Sequence, residues 1–506
     1  MTRGTGAGGK VWLVGAGPGD PGLLTLKAAR TIAACDVLVY DYLASSAVVS
    51  LAQPDCEKIY VGKKAGAHTL SQEEITALIV RLGLAGKRVV RLKGGDPFVF
   101  ARGGEEAADL RAAGVAFEIV PGISSALAAP AYAGIPVTHR DHNTSFTIAT
   151  GHEDPTKGFS SLDYAKLANP AQTLIFLMAM GNLAGIVTKL LENGMPGELP
   201  VAIVREGTKP TQETLVATLG TIVAEVERTR FAAPAIVVIG NVVREREQIR
   251  WFDVGPLFGK RVLITRPSDD SSEFAEKLWE VGAEPVSAPA IAIAAPDDPE
   301  PAREAVRTLE LNRWVVFTSR HGVDACFARL RTSGGDARRF GNAFVAAIGP
   351  KTAERLQHFG ITADFVPAAY VAEEVAVGLI ERSAAGDAIL LYGAQEMRDV
   401  LARSLREAGR NVRTVAGYKT VHVTDPSLAR AAEETDIWTF TSASTVEAFV
   451  QNVPGAGDLA QSKIVACIGP VTADAALAAG LPADIVAAEY TVDGLIAALA
   501  ASLALR

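Results

Sequence analysis

Cysteine is scarce in this chain. Cys35, Cys56, Cys326 and Cys467 are the only four in 506 residues, widely separated and without a CxxC pair. That spacing gives neither a disulfide framework nor a thiolate zinc site, and it fits a reducing compartment. A basic excess is also missing. The formal charge of -8 argues against nucleic acid as the main partner, because phosphate binding needs a basic face. An anionic small molecule held by a few local Arg and Lys stays open. No apolar run reaches ~18 residues, so no membrane span is expected. The closest, 173–187, is broken by Gly181-Asn182. The opening MTRGTGAGGK has no apolar segment, so no signal peptide is expected and the chain reads as cytoplasmic.

What is present builds cores. Hydrophobic residues make up 49% and charged residues 21%, the balance of a globular protein. The length suggests about three or four domains of ~150 residues. Short apolar runs alternate with Ala/Leu-rich amphipathic stretches. VWLVGAG, DVLVYD, RVVRLKGG, TLIFLMA, PVAIVREG and AIVVIGNVV supply strands in the first half. RVLITRP, WVVFTSR, FVAAIGP, AILLYGA, IWTFTSA and KIVACIGP do so in the second. The pattern predicts an α/β fold with mostly parallel sheets. A charge run at 244–248 and a Gly/Pro stretch at 254–260 precede a restart at Arg261, which sets domains at 10–253 and 261–506. The second half repeats itself. FTSRHGV at 317–323 returns as FTSASTV at 440–446, and AIGPKTAERLQHFG at 347–360 returns as CIGPVTADAALAAG at 467–480. Duplication predicts two similar lobes with a ligand site between them.

Residues 89–106, VVRLKGGDPFVFARGGEE, carry the strongest functional signal. Gly94 and Gly95 allow close backbone approach, and Asp96 stands where open α/β sheets bind small molecules. Gly17, Gly19 and Gly22 match a dinucleotide fingerprint in form only. Pro18 and Pro21 remove N–H donors from the loop, and Asp20 opposes a phosphate while capping the following helix. The loop therefore suits a ligand without phosphates. His139 and His142, with His152 nearby in sequence, raise a metal reading. The HxxH shows no third convergent ligand, and no metal is expected.

The blocks GAGPGDPGLLTL, VGKKAG, KGGDPFVFARGGEE, VPGISSA, GIPVTHR and TGH, in this order, resemble uroporphyrinogen-III C-methyltransferase, a tetrapyrrole (class III) S-adenosylmethionine methyltransferase. The resemblance covers 10–253 and implies two α/β lobes with the active site in their cleft, and a homodimer. It places Pro18 beside the cofactor and gives Gly94, Gly95, Asp96, Val99, Ser124, Ser125, Met178 and Gly207 to the S-adenosylmethionine pocket. The family often has Thr-Ala where this chain has Ser124-Ser125. It implies Asp41 as proton acceptor and Lys63 as proton donor; on the residues alone, the first fits a turn equally well and the second a solvated loop. Lys64, Arg91 and Arg102 are candidates for pairing with substrate carboxylates.

The second half, through RVLITRP, both FTS and IGP repeats and GYKTV at 417–421, resembles uroporphyrinogen-III synthase over 261–499. This implies one lobe of 261–293 with 421–506 and an inserted lobe of 297–419. Tyr418 is the implied general acid. Thr318, Ser319, Thr352, Ser442, Ser444 and Thr472 fall at strand ends or helix starts, where hydroxyls suit the substrate's carboxylates or cap helices. The fusion is then expected to convert hydroxymethylbilane to uroporphyrinogen III and methylate it twice to precorrin-2, serving cobalamin or sirohaem synthesis. The alternatives are a methyltransferase of a later corrinoid with an inert second half, or a two-lobed tetrapyrrole sensor.

Overall fold

The computed structural model describes residues 9–62, 70–152, 162–368, 372–397 and 399–504. They form two compact units. The first comprises the described residues of Met1–Arg261, Lys277–Glu284 and Ala500–Arg506; the second comprises Val262–Glu276 and Pro285–Leu499.

The first unit opens with strands β1 (Lys10–Gly15), β2 (Val37–Tyr40), β3 (Glu57–Tyr60), β4 (Arg88–Lys93) and β5 (Ala116–Val120), all parallel, in the order β3-β2-β4-β1-β5. Central β4 is buried from Val89 to Lys93 because helices cover both faces of a parallel sheet. One such helix, Gln72–Leu84, starts at a capping box in which Ser71 Oγ accepts from Glu74 N and Glu74 returns a carboxylate to Ser71 N. It buries Ile75 and Ile79 against Val11, Leu13 and Val89. The chain leaves β1 across β4 towards β2, and leaves β4 across β1 towards β5. The connections leave the carboxyl ends of neighbouring β1 and β4 in opposite directions, which marks the switch point at whose crevice open α/β sheets bind ligands.

A second sheet holds β6 (Phe146–Thr150), β7 (Thr173–Leu177), β8 (Pro200–Arg205), β9 (Glu213–Thr218) and β10 (Ala235–Ile239), ordered β6-β7-β10-β8-β9. Only β6 and β7 are parallel here; the expectation of mostly parallel strands does not extend to this sheet. The reason is local. The link from β8 to β9 is too short for a crossover, so β9 must return antiparallel.

The second unit has strands β11 (Arg261–Ile264), β12 (Glu284–Ser287), β13 (Ile291–Ala294), β14 (Trp314–Phe317), β15 (Phe344–Ala347), β16 (Ala388–Ala394), β17 (Asn411–His422), β18 (Ile437–Phe440), β19 (Ile464–Cys467) and β20 (Ile485–Val486). They make two sheets, β12-β11-β18-β19-β20 and β13-β17-β16-β14-β15. Long β17 pairs in parallel with β16 through Tyr418, then antiparallel with β13 from Lys419 to His422. That antiparallel pair carries the chain from one sheet to the other.

All four cysteines are buried. Although distant in sequence, Cys35 and Cys56 lie with their sulfurs 3.4 Å apart. Burial, reinforced by Cys56, pushes the Cys35 thiol up to about 12, so it stays a thiol at neutral pH. Among the described residues no helix is long and apolar enough to cross a membrane.

Candidate functional site

At the crevice, Gly17 and Gly95 form an isolated antiparallel bridge, with Gly95 N donating to Gly17 O at 2.7 Å and Gly17 N to Gly95 O at 3.2 Å. Gly95 has φ +65°, which a side chain would strain. Asp96 is half-buried and fastens two loops: Oδ1 accepts from Phe98 N at 2.7 Å and Oδ2 from Gly122 N at 3.0 Å. Ser124 caps the helix Ser125–Tyr132 by accepting from Ala126 N. Pro18, Gly94, Val99 and Ser125 are part-exposed on the same loops. Asp20 accepts from Gly22 N and from Tyr132 Oη, so it caps the single 3-10 turn Pro21–Leu23, whereas the α-helix Leu26–Ile32 that follows is capped by Thr25.

The second sheet contributes from its own loops. Met178, after β7, is half exposed at φ +56°. After β8, Glu206 and Thr208 also have positive φ, and Thr208 Oγ1 accepts from Asp20 N at 3.1 Å. Gly207 lies so close to the helix Ser125–Tyr132 that a Cβ would sit 2.3 Å from that of Ala129. Among the described residues, five of the six non-glycine residues with positive φ, namely Phe100, Arg102, Met178, Glu206 and Thr208, fall on these loops. Strain of this kind persists where the surrounding structure over-determines a binding site.

Asp41 stands at the end of β2. Its Oδ1 accepts from Leu43 N at 3.1 Å, and Arg91 Nη2 donates to Oδ2 at 3.1 Å. A Cβ on Gly94 would lie 2.6 Å from that of Leu43, so the Asp41 loop abuts the crevice. Lys63 and Lys64 lie outside the described residues. Arg91 does not reach for substrate as the sequence suggested. Its side chain is 4% exposed and bonds Asp41, Glu106 and Leu92 O. Arg102 is exposed and paired with Glu105. Sequence reasoning missed the two partners beneath. Lys93 donates to fully buried Glu106 at 2.9 Å, and Gln72 Nε2 does so at the same distance. Burial first, and neighbouring Arg91 second, hold the Lys93 ammonium below its ordinary range.

The histidines need a correction. His139 and His142 do meet a third ligating group, Glu245, brought in by the segment after β10. The premise of the sequence argument against a metal fails because Glu245 is 103 residues away in the chain. His152 follows the opposite end of β6, apart from the cluster.

In the second unit, Tyr418 Oη and Ser319 Oγ are 2.9 Å apart, and His321 packs edge-on to the phenol ring at 5.6 Å. Burial raises the Tyr418 phenol above its ordinary value, partly offset by Ser319. Tyr418 lies on two cavities. One of about 420 Å³ includes Thr318 and Met397. The other, about 620 Å³, is lined by Arg320, His321, Arg329 and Arg355 beside Asp324. These cations were not read from the sequence. Ser319 caps the helix Arg320–Thr332, and Ser442 caps the helix Ala443–Asn452 while bonding Ser444 at 2.9 Å. Thr352 and Thr472 do not cap. Gly349 and Gly469 hold those positions, and both threonines are buried in the helices that follow.

Backbone loops meeting after β1 and β4 in one unit, and a cavity lined by Arg320, Arg329 and Arg355 beside a buried tyrosine in the other, define an α/β protein with two separate candidate sites. Residues 10–223 match the family Tetrapyrrole (Corrin/Porphyrin) Methylases, and residues 272–497 match Uroporphyrinogen-III synthase HemD. A porphyrin biosynthesis protein HemD of Ruminiclostridium josui is 38% identical over 493 residues, 96% of this chain and 97% of that protein. An S-adenosyl-L-methionine-dependent uroporphyrinogen III methyltransferase of Methanosarcina barkeri is 51% identical over 235 residues, 46% of this chain and 92% of that one. The solved uroporphyrin-III C-methyl transferase of Thermus thermophilus, complexed with S-adenyl homocysteine, is 39% identical across 47% of this chain and 94% of its own, with a TM-score of 0.41. The chain belongs to the family in which a tetrapyrrole methylase is followed by a HemD-type uroporphyrinogen-III synthase.

Proposed function

We propose that the chain is a bifunctional enzyme of tetrapyrrole synthesis. The second unit closes hydroxymethylbilane to uroporphyrinogen III, and the first methylates that product twice to precorrin-2. The observation that carries the methyl-transfer half is the crevice between β1 and β4. It is built from backbone turns and the carboxylates Asp20 and Asp96, and the Lys209 side chain that packs on Gly19 is paired with Glu206. Such a lining opposes a pyrophosphate and accommodates a cation. S-adenosylmethionine, when bound, supplies a methyl group on a sulfonium, the kind of cofactor these residues fit. Gly94, Gly95, Asp96, Val99, Ser124, Ser125, Met178, Gly207 and Pro18 would hold it. Asp41, aimed by Arg91, would accept the proton that the methylated ring gives up. Lys63, outside the described residues, would return a proton.

For the synthase half, Tyr418 is the general acid that helps the hydroxyl leave as water, oriented by Ser319. Arg320, Arg329 and Arg355 give its cavity the charge that the substrate's carboxylates require. Thr318 and Ser319 share this site. Ser442 and Ser444 would meet carboxylates from the other lobe, whereas buried Thr352 and Thr472 would act through their helices. We read the first unit as a homodimer, the assembly that the resemblance implies; light scattering of the full chain gives its mass. Incubating the full chain with hydroxymethylbilane and labelled S-adenosylmethionine tests both activities. A doubly methylated type-III product supports the reading, and unmethylated or type-I product refutes it.

A further inference from the structure

The cluster of His139, His142 and Glu245 lies outside the machinery assigned above. The His139–Asn143 turn enters β6, and Glu245 follows the antiparallel strand β10, so the cluster sits by the amino end of β6. Met178, by contrast, follows the carboxyl end of the neighbouring β7, facing the crevice loops.

The turn is already built. His142 N and Asn143 N both donate to His139 O, at 3.1 and 3.0 Å. Buried Asn143 locks it from within: Oδ1 accepts from His139 N, and Nδ2 reaches Val137 O, Ser145 O and Thr173 Oγ1. This brings the two imidazoles side by side, with centroids 4.9 Å apart and planes tilted by 33°. Glu245 then spans them. Its Oε1 is 2.7 Å from His142 Nε2 and its Oε2 is 3.9 Å from His139 Nε2. The three ligand atoms all lie within 4.8 Å of one another.

A tetrahedral ion with bonds of ~2.0–2.1 Å wants ligand atoms about 3.3 Å apart. The 2.7 and 3.9 Å contacts run to different oxygens of Glu245, and one ligand atom from each residue lies within 4.8 Å of the others, so side-chain rotation has to draw the three together around an ion. His139 Nδ1 accepts from Asp141 N at 3.3 Å; ligation through Nε2 would exchange that bond for a proton on Nδ1, with the Asp141 carboxylate 4.0 Å away to meet it. Two imidazoles and one carboxylate suit a borderline cation; calcium or magnesium would want more oxygen ligands.

We propose that His139, His142 and Glu245 form a three-ligand site for a divalent cation of the zinc class, pinning the turn before β6 to the segment after β10. The site is structural, since its ligands belong to neither the crevice nor the Asp41 cluster. The rival is a metal-free ion pair between His142 and Glu245. His139→Ala separates the two, because His139 Nε2 is too far from Glu245 for a hydrogen bond and only metal binding needs it.

The full-length chain, stripped with chelator, is titrated with zinc chloride against a fluorescent zinc indicator, and bound metal is counted by atomic emission. One zinc per chain at micromolar affinity or better is expected, with a melting temperature that rises with zinc. His139→Ala and Glu245→Gln should each weaken binding at least tenfold and abolish the thermal response. Cys35→Ser, which removes the competing thiol pair, should leave both intact. No stoichiometric zinc in the parent chain overturns the proposal. So does zinc that survives His139→Ala or disappears with Cys35→Ser. His139→Ala melting like the parent without zinc keeps the comparison free of folding loss.

Discussion

Replacing Glu106 by Gln tests whether the four charges at the end of β4 act as one unit. Arg91 and Lys93 face Asp41 and Glu106, and the exposures of Arg91, Lys93 and Glu106 are 4, 5 and 0%. The amide keeps the volume and can still accept from Lys93, but it leaves two buried cations facing Asp41 alone. Removing one partner of a buried pair costs about 3–5 kcal/mol, and an isosteric amide belongs near the lower end. About 3 kcal/mol of lost stability should speed amide exchange of the β4 core on the order of 10²-fold. Hydrogen exchange read by mass spectrometry on β4 peptides reports the first unit alone. The double variant Glu106→Gln/Lys93→Met restores neutrality and should recover at least half of the loss. The pH response has a fixed sign. Lys93 holds its proton less well folded than unfolded, where its value is 10.5. The unfolded chain therefore binds more protons between the two values, and stability rises with pH through that window. Without Glu106 the depression deepens, so the variant's deficit should shrink between pH 7 and pH 9.5. Exchange within threefold of the parent, or a double variant no better than the single, would refute the network.

Asp41→Asn should lower methyl transfer about 10²–10⁴-fold, with S-adenosylhomocysteine affinity by calorimetry within threefold of the parent; parallel losses would mean that Asp41 shapes the pocket instead. Gly207→Ala forces a methyl group to 2.3 Å from Ala129 and should cost about 1–3 kcal/mol. An unchanged denaturant midpoint would show that the loop has slack. Tyr418→Phe should slow ring closure on the order of 10²-fold. Because burial raises the phenol, parent activity should persist past pH ~10, and a fall with an ordinary tyrosine midpoint argues against it as the acid.

The apolar runs in the sequence located the interior strands because both their faces are covered. Seven of the eight strands those runs leave out, β3, β5, β6, β9, β12, β13 and β20, are sheet edges. Their partial exposure breaks the apolar pattern: EKIY in β3 has only one residue that is even partly covered. The exception, β17, changes partner midway and is buried only at Val415, Gly417 and Tyr418, too short a stretch to make an apolar run. The site was legible unevenly for similar reasons. Glycine-rich turns after β4 announce themselves locally. Arg91 and Lys93 are two cations on one face of β4, whose other residues after exposed Arg88 are apolar, which already required buried carboxylates nearby. Glu106 was within reach of that argument. Glu245 was not, since nothing in the sequence links a glutamate to histidines more than 100 residues earlier.

The duplication in the second unit separates scaffold from chemistry. What both copies retain is mechanical. Ser319 and Ser442 cap equivalent helices, and Gly349-Pro350 and Gly469-Pro470 start the next pair. Asp364 accepts from Val345 N as Asp484 does from Val465 N, at 2.7 and 2.8 Å. The cavity's cations are not retained. By the repeat offsets, Arg320, His321, Arg329 and Arg355 correspond to Ala443, Ser444, Asn452 and Ala475, whereas the acid Asp324 keeps its counterpart in Glu447. Helix capping and strand fastening stabilise any ligand state, so they persist in both lobes. Positive charge is useful only where an anion binds, and it is concentrated in the lobe that also holds Tyr418. An even division of substrate recognition between the lobes would require cations in both copies of the repeat, and the second copy has lost them.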